Sequence, residues 1–83
     1  MKVDFHPNVL KHLQQVPRPV LAATLKVIVG LAEDPRPAGC VKLVGGRDDW
    51  RIRIGDHRII YAIDDTKHLV TVFSVAHRSD VYR

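Results

Sequence analysis

Arg51, Arg53 and Arg58 are the residues of this chain best spaced to do chemistry together. They lie in Trp50-Arg51-Ile52-Arg53-Ile54-Gly55-Asp56-His57-Arg58-Ile59-Ile60-Tyr61. This stretch reads as a β-hairpin turning at Gly55-Asp56, because glycine in first position suits a two-residue type II′ turn. The turn sets the register: Ile54 opposite His57, Arg53 opposite Arg58, Ile52 opposite Ile59, Arg51 opposite Ile60. Alternation then puts Ile52, Ile54, Ile59 and Tyr61 on one face with Trp50, and the three arginines on the other. Two arginines directly across a ladder repel each other unless an anion sits over them. Guanidinium groups grip phosphate bidentately, so the pattern predicts a sheet with an apolar back and a phosphate-holding front.

A second set of reactive side chains closes the sequence. His77-Arg78-Ser79-Asp80-Val81-Tyr82-Arg83 follows the last predicted strand, which in a meander lies beside Arg58. It would deliver an imidazole, a guanidinium and a phenol near the same sheet face. Arg78 can bind phosphate, Tyr82 can stack on a base or move a proton, and His77 titrates near neutrality. On geometry alone the same residues fit a solvated chain end equally well, and Tyr82 fits a core anchor. Other constellations are weaker. The five histidines show no HxxxH or paired-carboxylate pattern, so no metal site is expected. Asp48-Asp49 and Asp64-Asp65 fall in predicted turns, where solvation or backbone hydrogen bonding is the ordinary role. Cys40 with a distant histidine and aspartate is a set that any small protein offers.

The elements that must position these residues follow from periodicity. Lys2 to Phe5 alternates as a short strand with Val3 and Phe5 inward. Pro7 suits the first turn of a helix along which Val9, Leu10, Leu13 and Val16 recur. Pro17-Arg18-Pro19 interrupts it and opens a second helix, Val20 to Ala32, with a stripe of Leu21, Leu25, Ile28 and Ala32 widened by Val20, Val27 and Leu31. Glu33-Asp34-Pro35-Arg36-Pro37 ends it, since residues before proline avoid the α region. Val41 and Leu43 open the sheet, Gly45-Gly46 turns into Trp50, and Asp64-Asp65-Thr66-Lys67 turns again. His68 to Ala76 is the last strand, its nearly continuous apolar run suiting burial on both sides. The resulting β-α-α-β-β-β order predicts a single α+β domain over residues 1–83, with two N-terminal helices packed on one face of a small antiparallel β-sheet.

Composition sets the setting. Eighty-three residues make one small domain, 46% hydrophobic and 27% charged, which fits a globular chain rather than a disordered one. One cysteine cannot form an internal disulfide and fits a reducing compartment. No signal-peptide pattern or membrane-length apolar run is present, so a cytoplasmic protein with no membrane association is expected. Net charge is +4, with thirteen Lys and Arg against nine Asp and Glu, which favours polyanions but does not separate nucleic acid from an acidic protein.

Three blocks then become recognisable in order: Lys42-Leu43-Val44-Gly45, Trp50 to Tyr61, and Val75-Ala76-His77-Arg78-Ser79-Asp80-Val81-Tyr82. Together they resemble the RelE branch of the RelE/ParE toxin superfamily, over essentially the whole chain. The resemblance implies a microbial-ribonuclease-like fold and the toxin of a type II toxin–antitoxin pair. Such a toxin enters the ribosomal A site, cuts mRNA there without a metal or other cofactor, and is neutralised by a small RelB-like antitoxin, through which the complex binds operator DNA. It implies catalytic and substrate-binding roles for Arg51, Arg53 and Arg58, catalytic roles for Arg78 and Tyr82, and a substrate contact for His77. Relatives often carry lysine at the positions of Arg51 and Arg53. Arginine does not give up its proton, so the general base would be another group, His77 or the surrounding ribosomal RNA. The alternative within the superfamily is a ParE-like inhibitor of DNA gyrase that cleaves nothing.

Overall fold

A computed structural model describes residues 1–45 and 48–77. Among them the elements run β1 (Lys2–Phe5), α1 (Val9–Gln14), α2 (Arg18–Gly30), β2 (Val41–Lys42), β3 (Asp49–Ile54), β4 (His57–Asp64) and β5 (Leu69–His77). The strands form one sheet in the order β1-β5-β4-β3-β2. The α+β architecture and the placement of both helices on one face agree with the sequence reading.

The expected all-antiparallel sheet is corrected to a mixed one. β1 pairs with β5 in parallel, Lys2 against Leu69 through Phe5 against Val72, while every other pairing is antiparallel. The reason is topological. The chain leaves β1, crosses one sheet face as two helices, and begins its meander at the far edge. Three antiparallel steps bring β5 back beside β1, pointing the same way.

Side chains behind the sheet make the core. Ile52, Ile59, Tyr61, Ile63, Val70, Val72 and Val75 meet Val9, Val16, Ile28 and Leu31 from the helical layer, all at most 7% exposed. Two helical stripes are rotated from the predicted ones. Leu10 and Leu25 are exposed, whereas Thr24 is fully buried on α2. A polar residue is a poor core candidate by sequence, but the Thr24 hydroxyl donates to the Val20 carbonyl at 2.7 Å and so enters the core satisfied. Phe5, predicted inward, is 48% exposed at the end of its edge strand, where Val3 alone packs against the core.

The last strand is covered on one face rather than two. Its apolar run divides through a register shift opposite Ile60/Tyr61, which adds Phe73 to the strand. With that extra residue, Val70, Val72 and Val75 all face the core, and Phe73 lies half-exposed on the other side. Beyond Phe5 the outer edge of β5 has no strand beside it among the described residues. There His12 of α1 accepts the Val75 N–H at its Nδ1, 3.2 Å away, and so occupies one donor of the open edge. No helix among the described residues is long and apolar enough to cross a membrane.

Candidate nucleic-acid interface

The hairpin folds in the expected register. Arg51 pairs with Ile60, Ile52 with Ile59, Arg53 with Arg58 and Ile54 with His57. Gly55 has φ +57 and Asp56 is not left-handed, as a glycine-first turn requires. Arg53 reaches back over this turn, donating Nε to the Gly55 carbonyl at 3.1 Å. Arg51, Arg53 and Arg58 therefore share the sheet face that the helices leave uncovered. Arg58 is 8% exposed, Arg51 half-buried and Arg53 exposed, so the charges stand at graded depths.

β5 completes the surface with short side chains. Ala76 lies beside Arg58 and Ser74 beside Ile60, giving the rows Arg53–Arg58–Ala76 and Arg51–Ile60–Ser74. Neither row holds a carboxylate. Planar guanidinium donors above a low floor suit a phosphate group and the negative charge that builds on it in a transfer reaction.

The opposite end of the same face is acidic. Asp48, Asp49, Asp64 and Asp65 rim a shallow depression of about 990 Å³ floored by Ile60, Ala62, Thr71 and Phe73. Two of these carboxylates have a structural task that the sequence reading missed. Asp65 takes Arg36 bidentately, with Nη2–Oδ2 at 2.9 Å and Nη1–Oδ1 at 3.4 Å, and Asp48 takes the same Nη2 at 3.3 Å. Arg36 lies over the Trp50 ring, 5.3 Å from its centroid, and Trp50 Nε1 donates to Asp48 Oδ1 at 2.8 Å. The hydrogen bonds from Arg36 hold the Asp65 carboxyl below its usual range, and Asp65 in turn pushes the Arg36 guanidinium up. Beside this knot the buried Tyr61 hydroxyl donates to the Pro35 carbonyl at 2.8 Å; burial foremost, then neighbouring Cys40, pushes its pKa up. Arg36, in a loop with no periodic pattern, gave no sequence signal beyond being a cation between prolines.

His77 is placed otherwise than the sequence reading had it. It pairs with His57, two residues after Val75, and so falls on the helix side of the sheet, with the His57 and His77 rings edge to face at 5.5 Å. It stands next to the arginine rows along the strand but does not join them. Arg78 and Tyr82 lie outside the described residues. Among the described residues, no group of three or more His, Cys, Asp or Glu is gathered as a metal shell.

Known proteins resemble this chain in both sequence and fold. Residues 3–82 match the family model described as the ParE toxin of the type II toxin–antitoxin system parDE. Toxin RelE of Mycobacterium tuberculosis is 34% identical over 74 residues, covering 88% of this chain and 76% of the relative. The structure is similar to RelE in the archaeal RelE–RelB complex of Pyrococcus horikoshii, with TM-score 0.82, 28% identity and 93% of each chain covered. It is similar also to isolated Escherichia coli RelE, with TM-score 0.79, 32% identity, and 98% of this chain and 89% of that one covered. The chain belongs to the RelE/ParE family of type II toxins and is a toxin of the RelE type.

Proposed function

We infer that the chain is a ribosome-dependent mRNA endoribonuclease, working in the ribosomal A site and held inactive by a RelB-like antitoxin. The observation that carries this reading is the Arg53–Arg58 pair, directly opposed on an open sheet face with Arg51 alongside. A ribose 2′-OH attacks the adjacent phosphate, forming the 2′ O–P bond as the bond to the 5′ oxygen breaks. The 2′ proton passes to a base and the leaving oxygen gains a proton, leaving a 2′,3′-cyclic phosphate. Arg51, Arg53 and Arg58 bind the phosphate and stabilise the pentacoordinate charge, which is greater in the transition state than in the ground state. Guanidinium groups stay protonated, so none of them takes the 2′ proton. Arg78 serves the leaving group and Tyr82 orients the RNA in this proposal, and no metal is required.

The RelB-like partner is supported by the similarity to toxins that assemble with RelB; operator binding by the pair would run through that antitoxin. The name of the matching family model favours one other reading, inhibition of DNA gyrase without cleavage. Primer extension on a translated mRNA after induction, with translation running or blocked, separates the two. Cuts that vanish when translation is blocked are expected. Intact mRNA with arrested supercoiling would instead assign the chain to the gyrase class.

A further inference from the structure

Between the end of α1 and the hairpin end of the sheet lies a cleft of about 450 Å³, on the side away from the arginines. Among the described residues its lining includes His12, Gln15, Val16, Pro17, His57 and His77 and no carboxylate. One polar atom of this lining is not accounted for by the packing of the described residues. His12 Nδ1 is engaged by the Val75 N–H, which fixes that ring. Among the described residues His57 Nδ1 is buried with no hydrogen-bond partner, an atom that a fold would ordinarily satisfy or exclude. The His57 ring is itself held edge-on by His77.

We propose that this cleft receives a nucleobase of the RNA strand whose phosphates lie on the arginine rows, a subsite that rests on the RNA-cleaving reading above. Three observations converge on that ligand. Apolar walls from Val16, Pro17 and Val75 face imidazole rings and an amide, the mixture that takes a flat heteroaromatic face while answering its polar edge. The described lining offers a cation no carboxylate, whereas the nearby arginines attract the backbone that must accompany a base. The third is continuity: His57 and His77 directly adjoin Arg58 and Ala76 along their strands. A sugar–phosphate chain leaving the row Arg53–Arg58–Ala76 over the end of β4 and β5 has one residue step to cross before its next base meets the cleft.

The test is a photocrosslink on ribosomes. The toxin is bound to ribosomes programmed with an mRNA carrying a 2′-deoxy sugar at the cleaved position and 4-thiouridine at each flanking position in turn. After irradiation the adducts are mapped by mass spectrometry. From one flanking position the adduct is expected on His12–Pro17, His57 or Val75–His77. Adducts confined to Arg51–Arg53 and the rest of the open face overturn the subsite and leave the RNA reading standing. No toxin–RNA adduct from any position overturns both. In a His57→Leu, Gln15→Leu variant, shown folded by its thermal transition, the cleft adduct should fall about five-fold or more, the loss expected from one base contact. An unchanged yield overturns the proposal.

Discussion

Arg36 and Arg58 stand near opposite ends of one sheet in surroundings that differ in kind. Arg36 is clasped by Asp65 and Asp48 and lies on Trp50, so its charge is spent on tying a proline-flanked loop to the strands. Arg58 shares its row with another arginine and an alanine. The same side chain thus closes a structure at one end and stands in a row without a carboxylate at the other. What separates the two is where the chain puts its carboxylates: four of them gather around the loop end, and neither arginine row holds one. A net charge of +4 hides this division, since it averages an acidic end with a basic one.

The comparison can be broken from either end. The largest effect is expected from Arg58→Ala, which should abolish growth arrest and lower ribosomal mRNA cleavage by about two to three decades, or ~2–4 kcal/mol of transition-state stabilisation. Antitoxin binding, read by pull-down, should persist; cleavage at the wild-type rate would remove Arg58 from the site. Ala76→Glu would sharpen the contrast by placing a carboxylate directly across from Arg58 in its own row. Cleavage should drop sharply while the melting temperature holds or rises, a cross-strand pair of opposite charge contributing about 0.2–1 kcal/mol. A variant that is both active and unchanged in stability would show that the row tolerates an anion and is not a phosphate seat.

At the closed end the effects should fall on stability and spare the chemistry. Tyr61→Phe removes a buried hydrogen bond to Pro35 and should lower stability by about 1 kcal/mol. The wild-type phenol is kept protonated in the fold, so its stabilisation is full below its ordinary pKa of 10.0 and is lost as pH rises above that. The alkaline limb of a stability–pH curve should therefore be weaker in the phenylalanine variant. Arg36→Gln should give the smallest change, as Asp65, its bidentate partner, is largely exposed. Asp65 sits below its ordinary 3.8, so the contribution of the pair is complete above that pH and is lost as pH falls below it. Chemical denaturation at pH 7 and pH 3 should show the variant's deficit shrinking in acid, with ribosomal cleavage unaltered.

The hairpin was readable to the residue because one glycine turn and strict alternation leave a single register. Sequence also carried both helices, since prolines mark their starts. It misread which faces they bury, taking Leu10 and Leu25 as core and passing over Thr24. Hydrophobicity cannot register a hydroxyl that satisfies itself on its own helix. The parallel β1–β5 pair was invisible for a different reason: partners 67 positions apart leave no local trace, and only the crossing helices dictate it. His77 was assigned to the wrong side because proximity along a meander was read without its parity. One residue of shift moves a side chain to the opposite face. Arg36 escaped notice because a salt bridge between three separate loops has no pattern in any one of them.

The pairing of β1 with β5 also bears on when this molecule can exist. Of the described strands β1 is made first and waits for β5, made last, and Arg58 acquires its neighbour Ala76 only when β5 docks. Contacts so distant in sequence slow folding and couple it to chain completion. A nascent fragment that stops short of β5 lacks the Ser74 and Ala76 side of the arginine face, so that surface is assembled only after β5 has been made.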